Sequence, residues 1–359
     1  MLTVNASALP RIVQCVGSVA LAKQAPKPAE HDASEEGIAA HWLAARWFNH
    51  PQHADKPGIK ASNGWICGEE MFEHIAEYVR RFDNNLPRRV EAPAHWRNST
   101  ETFEVRGKAD LTVWHPEQRT LAITDLKYGF RYVDPEMNWQ LIAYAIGTAM
   151  ALNVTPDKFI LAIYQPRGPG EPLRSWEATS EQILTAYHEL CAHLERAAAG
   201  ADDLQTGEHC RYCPAAPGCP AAQRAGFNAV DVAMNSGDFH LDEAGMRAEL
   251  DLFDRAEELL KQRRRWIEGY AADAIKRGGS IPGLSVKTTL GHTAWRPNVT
   301  VQDLREVGNN YIEEKPVTPA EAKRRGMSQE QYDKLTHRPV TGQKVVRKDA
   351  AEQAAKVFE

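Results

Sequence analysis

Two aspartates and a lysine are spaced as metal-assisted hydrolysis requires: Asp110 in Gly107-Lys108-Ala109-Asp110, then Asp125 and Lys127 in Asp125-Leu126-Lys127. The segments Thr102–Trp114 and Thr120–Lys127 read as strands joined by the turn His115-Pro116-Glu117-Gln118-Arg119. A hairpin centred between Glu117 and Gln118 pairs residues whose numbers sum to 235, which sets Asp110 opposite Asp125. Directly opposed side chains lie about 4.5–5.5 Å apart at Cβ, and strand alternation puts Lys127 on the face of Asp125. Two carboxylates so close repel unless a positive group lies between them, and a hard divalent cation with oxygen ligands is the usual one. Such a cation activates water and stabilises charge growing on a phosphate, which suits phosphodiester hydrolysis. Lys127 would orient that water or neutralise the oxyanion. Taken alone the three residues are a weak motif, equally at home on a surface hairpin with an Asp-Lys cross-strand pair.

A second group of reactive side chains is Cys210-x-x-Cys213-x5-Cys219, stiffened by Pro214 and Pro220 and preceded by His209. Three thiols in one short loop have the spacing of metal ligands rather than of a disulfide framework in a chain of 359 residues. The spacing does not distinguish zinc from an iron–sulfur cluster. Cys67 and Cys191 read as buried or incidental thiols.

The elements around these groups follow a regular order. Ser34–Phe48 and Glu69–Phe82 read as helices, and Val90–Trp96 as a short strand before the hairpin. Asp134 as N-cap with Pro135 at the first helical position opens a helix to about Leu152. Phe159–Tyr164 is an apolar strand and Ser180–Ala199 a helix. Helix, three strands, helix, strand, helix predicts an α/β core, a mixed central sheet flanked by helices. Beyond it, Leu241 to Arg277 is strongly helical, with Met246, Leu250, Phe253, Leu260, Ile267 and Ala271 at helical spacing and expected as core contacts. A hairpin over Leu284–Trp295 and short helices complete a mainly helical C-terminal region. The expected division is a core at 1–228 and a second part at 229–359.

The totals agree with a folded, water-soluble chain: 43% apolar residues, 25% charged, and a mean hydropathy of -0.50. No stretch reaches the roughly 20 apolar residues of a spanning helix, and the apolar run Ile12–Ala22 lacks the flanks of a targeting segment. A cytoplasmic location without membrane partners is expected. The net charge of -5 is uneven, with 15 Lys and Arg against 10 Asp and Glu from Lys276 onward. An acidic, metal-binding core beside a mildly basic flank fits that asymmetry.

With Gln140-x-x-x-Tyr144 on the helix after the hairpin, these motifs resemble the RecB-like branch of the PD-(D/E)XK nucleases, over about residues 5–225. The order of one cysteine before the core, Cys15, and three after it resembles the iron–sulfur members, including the AddB nuclease domain and CRISPR-associated exonucleases. Ser7-Ala8-Leu9-Pro10-Arg11, Asp125-Leu126-Lys127-Tyr128-Gly129 and Tyr164-Gln165-Pro166-Arg167 are similar to a phage and prophage subgroup. The resemblance implies a restriction-endonuclease-like core clipped by a [4Fe–4S] cluster on Cys15, Cys210, Cys213 and Cys219, with zinc as the alternative. It implies one or two Mg2+ or Mn2+ ions held by His41, Asp110, Asp125 and the backbone carbonyl of Leu126, with Lys127 beside them. Glu36, a turn before His41, stands nearby on the same helix. Gln140, Tyr144 and Arg167 would contact the substrate, which is DNA. The implied activity is that of a DNA exonuclease in phage recombination, replication or repair, with a helicase, recombinase or single-strand-binding partner left open. A DNA-end-binding or assembly module without catalysis, and an endonuclease, are the competing readings. One departure from the family pattern is Asp125, where many relatives have glutamate; the charge is kept and the reach is one methylene shorter.

Overall fold

The computed structural model describes residues 1–25, 32–50, 55–82, 87–235, 242–290, 294–296, 299, 301–308, 317–337 and 340–347. In chain order its elements are β1 (Leu2–Asn5), α1 (Leu9–Gln14), α2 (Ser18–Ala22), α3 (Asp32–Asn49), α4 (Glu69–Arg81), β2 (Arg88–Pro93), β3 (Trp96–Arg97), β4 (Phe103–Arg106), β5 (Lys108–His115), β6 (Thr120–Leu126), α5 (Trp139–Leu152), β7 (Lys158–Tyr164), β8 (Leu173–Thr179), α6 (Ser180–Ala198), α7 (Pro220–Asn235), α8 (Glu243–Lys276), β9 (Leu284–Leu290), β10 (Ala294–Trp295), α9 (Val301–Val307), α10 (Pro319–Arg324), α11 (Gln329–Leu335), β11 (Thr336–His337) and β12 (Val340–Arg347). They form two compact units interleaved along the chain: residues 1–29, 86–127 and 131–270, and residues 30–85, 128–130 and 271–359. The boundary expected at residue 228 falls inside α7. Among the described residues no helix is long and apolar enough to cross a membrane.

The first unit is a mixed α/β layer structure. Its five-stranded sheet has the order β2-β5-β6-β7-β8, antiparallel except for the parallel pair β6 and β7. A parallel pair needs a crossover, and α5 supplies it. Residues Leu141 to Thr148 of α5 are all buried, because the helix packs on β6 and β7 and also on α1 and α6. That double contact explains a helix with no polar stripe. β7 is likewise a run of buried apolar residues from Leu161 to Tyr164, as expected of a strand covered on both faces. α6 starts on a capping box in which Thr179 and Gln182 satisfy each other's backbone N–H groups.

A second, three-stranded sheet has the order β1-β4-β3, with β1 parallel to β4. The single strand expected over Thr102–Trp114 is therefore two, and that expected over Val90–Trp96 divides into β2 and β3, each pair split between the two sheets. The switch from β4 to β5 occurs at Gly107. A Cβ there would lie 2.5 Å from the ring of Tyr144, so no side chain fits where the backbone crosses under α5. β1 and β8 were not anticipated. β8 is an edge strand whose sequence, Leu-Arg-Ser-Trp-Glu-Ala-Thr, has a largely solvated face and no clear apolar alternation.

The start of α5 also differs from expectation. Its N-cap is Asn138, whose side chain accepts from the N–H groups of Gln140 and Leu141. Asp134 instead accepts from the N–H of Glu136 in a preceding turn. Met137, with φ of 48°, breaks any helix running on from Pro135. In α8, Met246, Leu250, Leu260 and Ile267 are exposed rather than the core contacts expected, while Ala271 is buried. Leu241 lies outside the described residues.

In the second unit, α3 packs on α4 through edge-to-face ring pairs, Trp47 with Phe72 and Phe48 with Tyr78, each at 5.2 Å. Cys67 is fully buried, and burial pushes its thiol up to about 11. Toward the C-terminus, β9 pairs with β12 and β10 with β11. The hairpin expected over Leu284–Trp295 is thus replaced by two ladders with distant partners. A small core of Val299, Leu304, Val317, Ala322, Met327 and Leu335 lies in the same region.

Candidate metal centre

The register of β5 and β6 runs through Leu111 with Thr124, Thr112 with Ile123 and on to His115 with Thr120. Each pair sums to 235, and the next row contains Asp110 and Asp125. The register of β2 and β5 brackets the same row from the other side, because Val90 pairs with Leu111 and Ala92 with Ala109. Glu91 is therefore opposite Asp110. Three acids occupy one row across three neighbouring strands, and a carboxylate oxygen of Glu91 comes within 4.8 Å of one of Asp110. Glu91 has φ of 50°, a left-handed conformation that costs a residue with a side chain roughly 1–2 kcal/mol.

Hydrogen bonds fix each acid. Asp110 Oδ2 accepts from the N–H of Leu126 at 2.7 Å, where a side chain takes over from the strand ladder. Asp125, only 2% exposed, pairs through Oδ2 with Lys127 Nζ at 2.9 Å, and Oδ1 accepts from Gln140 Nε2 at 3.3 Å. Gln140 Oε1 accepts from Lys127 Nζ at 3.0 Å, and its Nε2 also donates to the Tyr144 hydroxyl at 2.7 Å. Lys108 forms an ion pair with Glu91. Burial alone would lower the pKa of Lys127, but the charge and hydrogen bond of Asp125 outweigh it and hold the lysine above its ordinary range, so it is a cation at neutral pH. Burial first, and the charge of Asp125 second, raise the Tyr144 phenol and keep it neutral.

Asp110, Asp125, Lys127, Gln140 and Tyr144, all singled out from sequence, thus come together. Leu126 is fully buried between them, its N–H on Asp110. Arg167 is half-buried in the turn after β7. That turn is fixed by Gln165, whose side chain accepts from the N–H of Val133 and from Arg174 and donates to the carbonyl of Arg131. His41 and Glu36 lie on α3 of the second unit, His41 half-buried. Sequence reasoning missed Glu91. The signal was an acid within Arg-Arg-Val-Glu-Ala-Pro, and it becomes legible only once that strand is paired with β5. Paired carboxylates with oxygen donors and no soft ligand fit a hard divalent cation such as Mg2+ or Mn2+.

The thiols lie elsewhere in the first unit. Cys15 stands between α1 and α2, and Cys210, Cys213 and Cys219 lie in the loop before α7. The Cys15 sulfur accepts from the N–H of Gln205 at 3.4 Å, and His209 Nε2 lies 3.8 Å from the Cys210 sulfur. The His209 ring is also hydrogen-bonded to Gln14 at 2.8 Å, which links the loop to α1. Burial would raise the Cys15 thiol, yet His209 and the backbone of Gln205 and Ser18 together leave it below its usual value. Hydrogen bonds to Cys15 and then Cys210 lift His209 to about 10. All six cysteines are free. Among the described residues, no three cysteine sulfurs lie within 4.8 Å of one another.

A family model described as "Protein of unknown function (DUF2800)" matches residues 3–349. The chain belongs to that family. No curated protein matches it. Among solved structures, one titled "Crystal structure of SSO0001" is similar at 14% identity, covering 61% of this chain and 86% of that one, with a TM-score of 0.32.

Proposed function

We propose that this chain is a divalent-cation-dependent deoxyribonuclease with a PD-(D/E)XK-like core, acting as an exonuclease in phage DNA recombination, replication or repair. The observation that carries the reading is the row Glu91, Asp110 and Asp125 across adjacent strands, with Lys127 bonded to the last. Asp110 and Asp125 are the metal ligands, joined by Glu91 and by the carbonyl of Leu126. When bound, Mg2+ or Mn2+ supplies a water of lowered pKa and a counter-charge for the phosphate. Lys127, fixed by Asp125 and Gln140, then directs its remaining proton toward the attacking water or a phosphate oxygen. Gln140 holds lysine and aspartate in one orientation, Tyr144 stops Gln140 from rotating, and Arg167 takes a neighbouring phosphate.

The four cysteines we assign to a structural [4Fe–4S] cluster. The assignment rests on the order of one cysteine before the core and three after it, which resembles the iron–sulfur members; four thiolates suit zinc as the alternative. A helicase, recombinase or single-strand-binding protein would be the natural partner for end-dependent digestion.

The test is digestion of end-labelled linear DNA and closed circular DNA by anaerobically purified protein with Mg2+ or Mn2+. Release of nucleotides from linear DNA alone supports the exonuclease. Cutting of circles makes the chain an endonuclease, and tight binding without cleavage under either metal makes it a DNA-end-binding module. Visible absorbance of the same preparation decides iron against zinc.

A further inference from the structure

A cleft of about 330 Å³ in the first unit opens where β4 passes into β5, beside the acid row. Tyr144 is a wall shared by the two sites. Its ring lies against Gly107, where a Cβ would meet it at 2.5 Å, and its hydroxyl is bonded to Gln140, which holds Asp125 and Lys127. The rest of the lining is rich in donors. His95, Arg106 and Lys108 reach the cleft together with Asn5 and Ser7, and among the described residues no carboxylate lines it.

The local chain explains why these side chains meet. Asn5 is opposite Arg106 in the parallel ladder of β1 and β4. The backbone of Gly107 is held on both sides by the segment before β3: its carbonyl accepts from the N–H of Ala94 at 2.9 Å, and its N–H donates to His95 Nδ1 at 3.1 Å. An accepting Nδ1 puts the ring proton on Nε2, so His95, an exposed residue, offers that N–H as its donor. Arg106 gives its Nε to Glu104 at 2.8 Å and keeps two terminal amino groups on a side chain 55% exposed. Lys108, 61% exposed, pairs with Glu91 through an ammonium that has three donors. A planar carboxylate presents two oxygens along one edge, whereas the donors here come from three segments of chain. That arrangement suits a tetrahedral anion, and charge-assisted bonds to phosphate are the strong ones. Lys108 stands two residues before Asp110 on the same face of β5, about 7 Å away, a separation comparable to that of successive phosphates on one strand.

We propose that this cleft seats a phosphate of the substrate strand, one nucleotide step from the bond cleaved at the acid row, through His95 Nε2–H, the terminal amino groups of Arg106 and Lys108 Nζ. The identity of the polymer rests on the nuclease reading; the affinity for a phosphate rests on the cleft. Arg167 follows β7, on the other side of β6 from β5, so phosphates are held on both sides of the acid row.

Fluorescence anisotropy of the full chain on labelled duplex DNA, without added divalent cation and over a range of NaCl concentrations, tests it. Arg106→Gln is expected to weaken binding about tenfold and to flatten the salt dependence by one phosphate contact, about 0.9 in the slope of log K against log[salt]. Arg97→Gln is the control, since Arg97 bonds the same buried Glu104 without lining the cleft, and it should leave affinity and slope unchanged. His95→Asn keeps an acceptor for the Gly107 N–H and removes the Nε2 donor, so it should weaken binding severalfold with the slope unchanged. Duplexes with phosphorylated and unphosphorylated ends separate the two sources of the group: equal losses on both assign the cleft to an internal phosphodiester, and a loss confined to phosphorylated ends assigns it to the terminal phosphate. An Arg106→Gln protein that matches Arg97→Gln in affinity and slope overturns the proposal, as does a His95→Asn protein of full affinity. None of these readouts needs cleavage. A chain that shows the losses but never cuts DNA with Mg2+ or Mn2+ keeps the cleft and overturns only the nuclease reading, and one that cuts DNA while Arg106→Gln binds normally overturns only the cleft.

Discussion

In the acid row, three carboxylates arrive from three neighbouring strands, next to the paired rows of both ladders. The thiols come from two distant stretches of chain, Cys15 between α1 and α2 and Cys210, Cys213 and Cys219 on short helical turns and prolines before α7. Among the described residues, an oxygen of Glu91 comes within 4.8 Å of one of Asp110, and no three cysteine sulfurs lie within 4.8 Å of one another. The contrast is one of cause. A strand register sets the Cβ separation of opposed side chains to within about an ångström and needs nothing bound. Loop ligands take their final spacing from the group they hold, so that binding energy becomes folding energy.

Mutations can break this contrast, and the largest effect should fall on the acids. Asp110→Asn is expected to lower divalent-dependent DNA cleavage on the order of a thousandfold with little change in melting temperature; near-normal cleavage would remove the acid row from the chemistry. On the proposed cluster, Cys15→Ser should do the opposite, costing about 3 kcal/mol as loss of a long-range link and lowering the melting temperature by roughly 2–4 °C per kcal/mol. Calorimetry that finds no shift would mean that the thiols clip nothing together.

Gly107→Ala sharpens the comparison, since it touches the scaffold of the acids without touching an acid. Overpacking against Tyr144 should cost about 1–3 kcal/mol, read by urea denaturation, and should slow cleavage through the Gln140 network. The smallest effect is at the start of α5: Asn138→Ala should cost about 1 kcal/mol as a lost N-cap, and Asp134→Ala less. Equal losses at the two positions would contradict the observed cap.

What could be read from sequence was local. The four-residue turn between His115 and Thr120 fixes the β5 and β6 register, so Asp110 and Asp125 are legible without a structure, whereas Gln140 and Tyr144 come from the family resemblance, with helical spacing only putting them on one face. Glu91 was hidden because its pairing with β5 is unrelated to any turn signal and its backbone is left-handed. The α5 cap was misread because Asp134-Pro135 is a good start signal that Met137 interrupts. For α8 the apolar period was right and the buried side wrong: periodicity marks a stripe, and only tertiary packing decides which stripe is covered.

Gly107 has a mechanical meaning as well. β4 and β5 are one run of chain that changes sheet there with no intervening loop, and Asp110 stands three residues on, about 10 Å of extended backbone. The small sheet is thus a lever whose fulcrum lies under Tyr144. A change at β1 that tilts the sheet by a few degrees would be felt as a misaligned carboxylate, slowing turnover in a protein that melts normally.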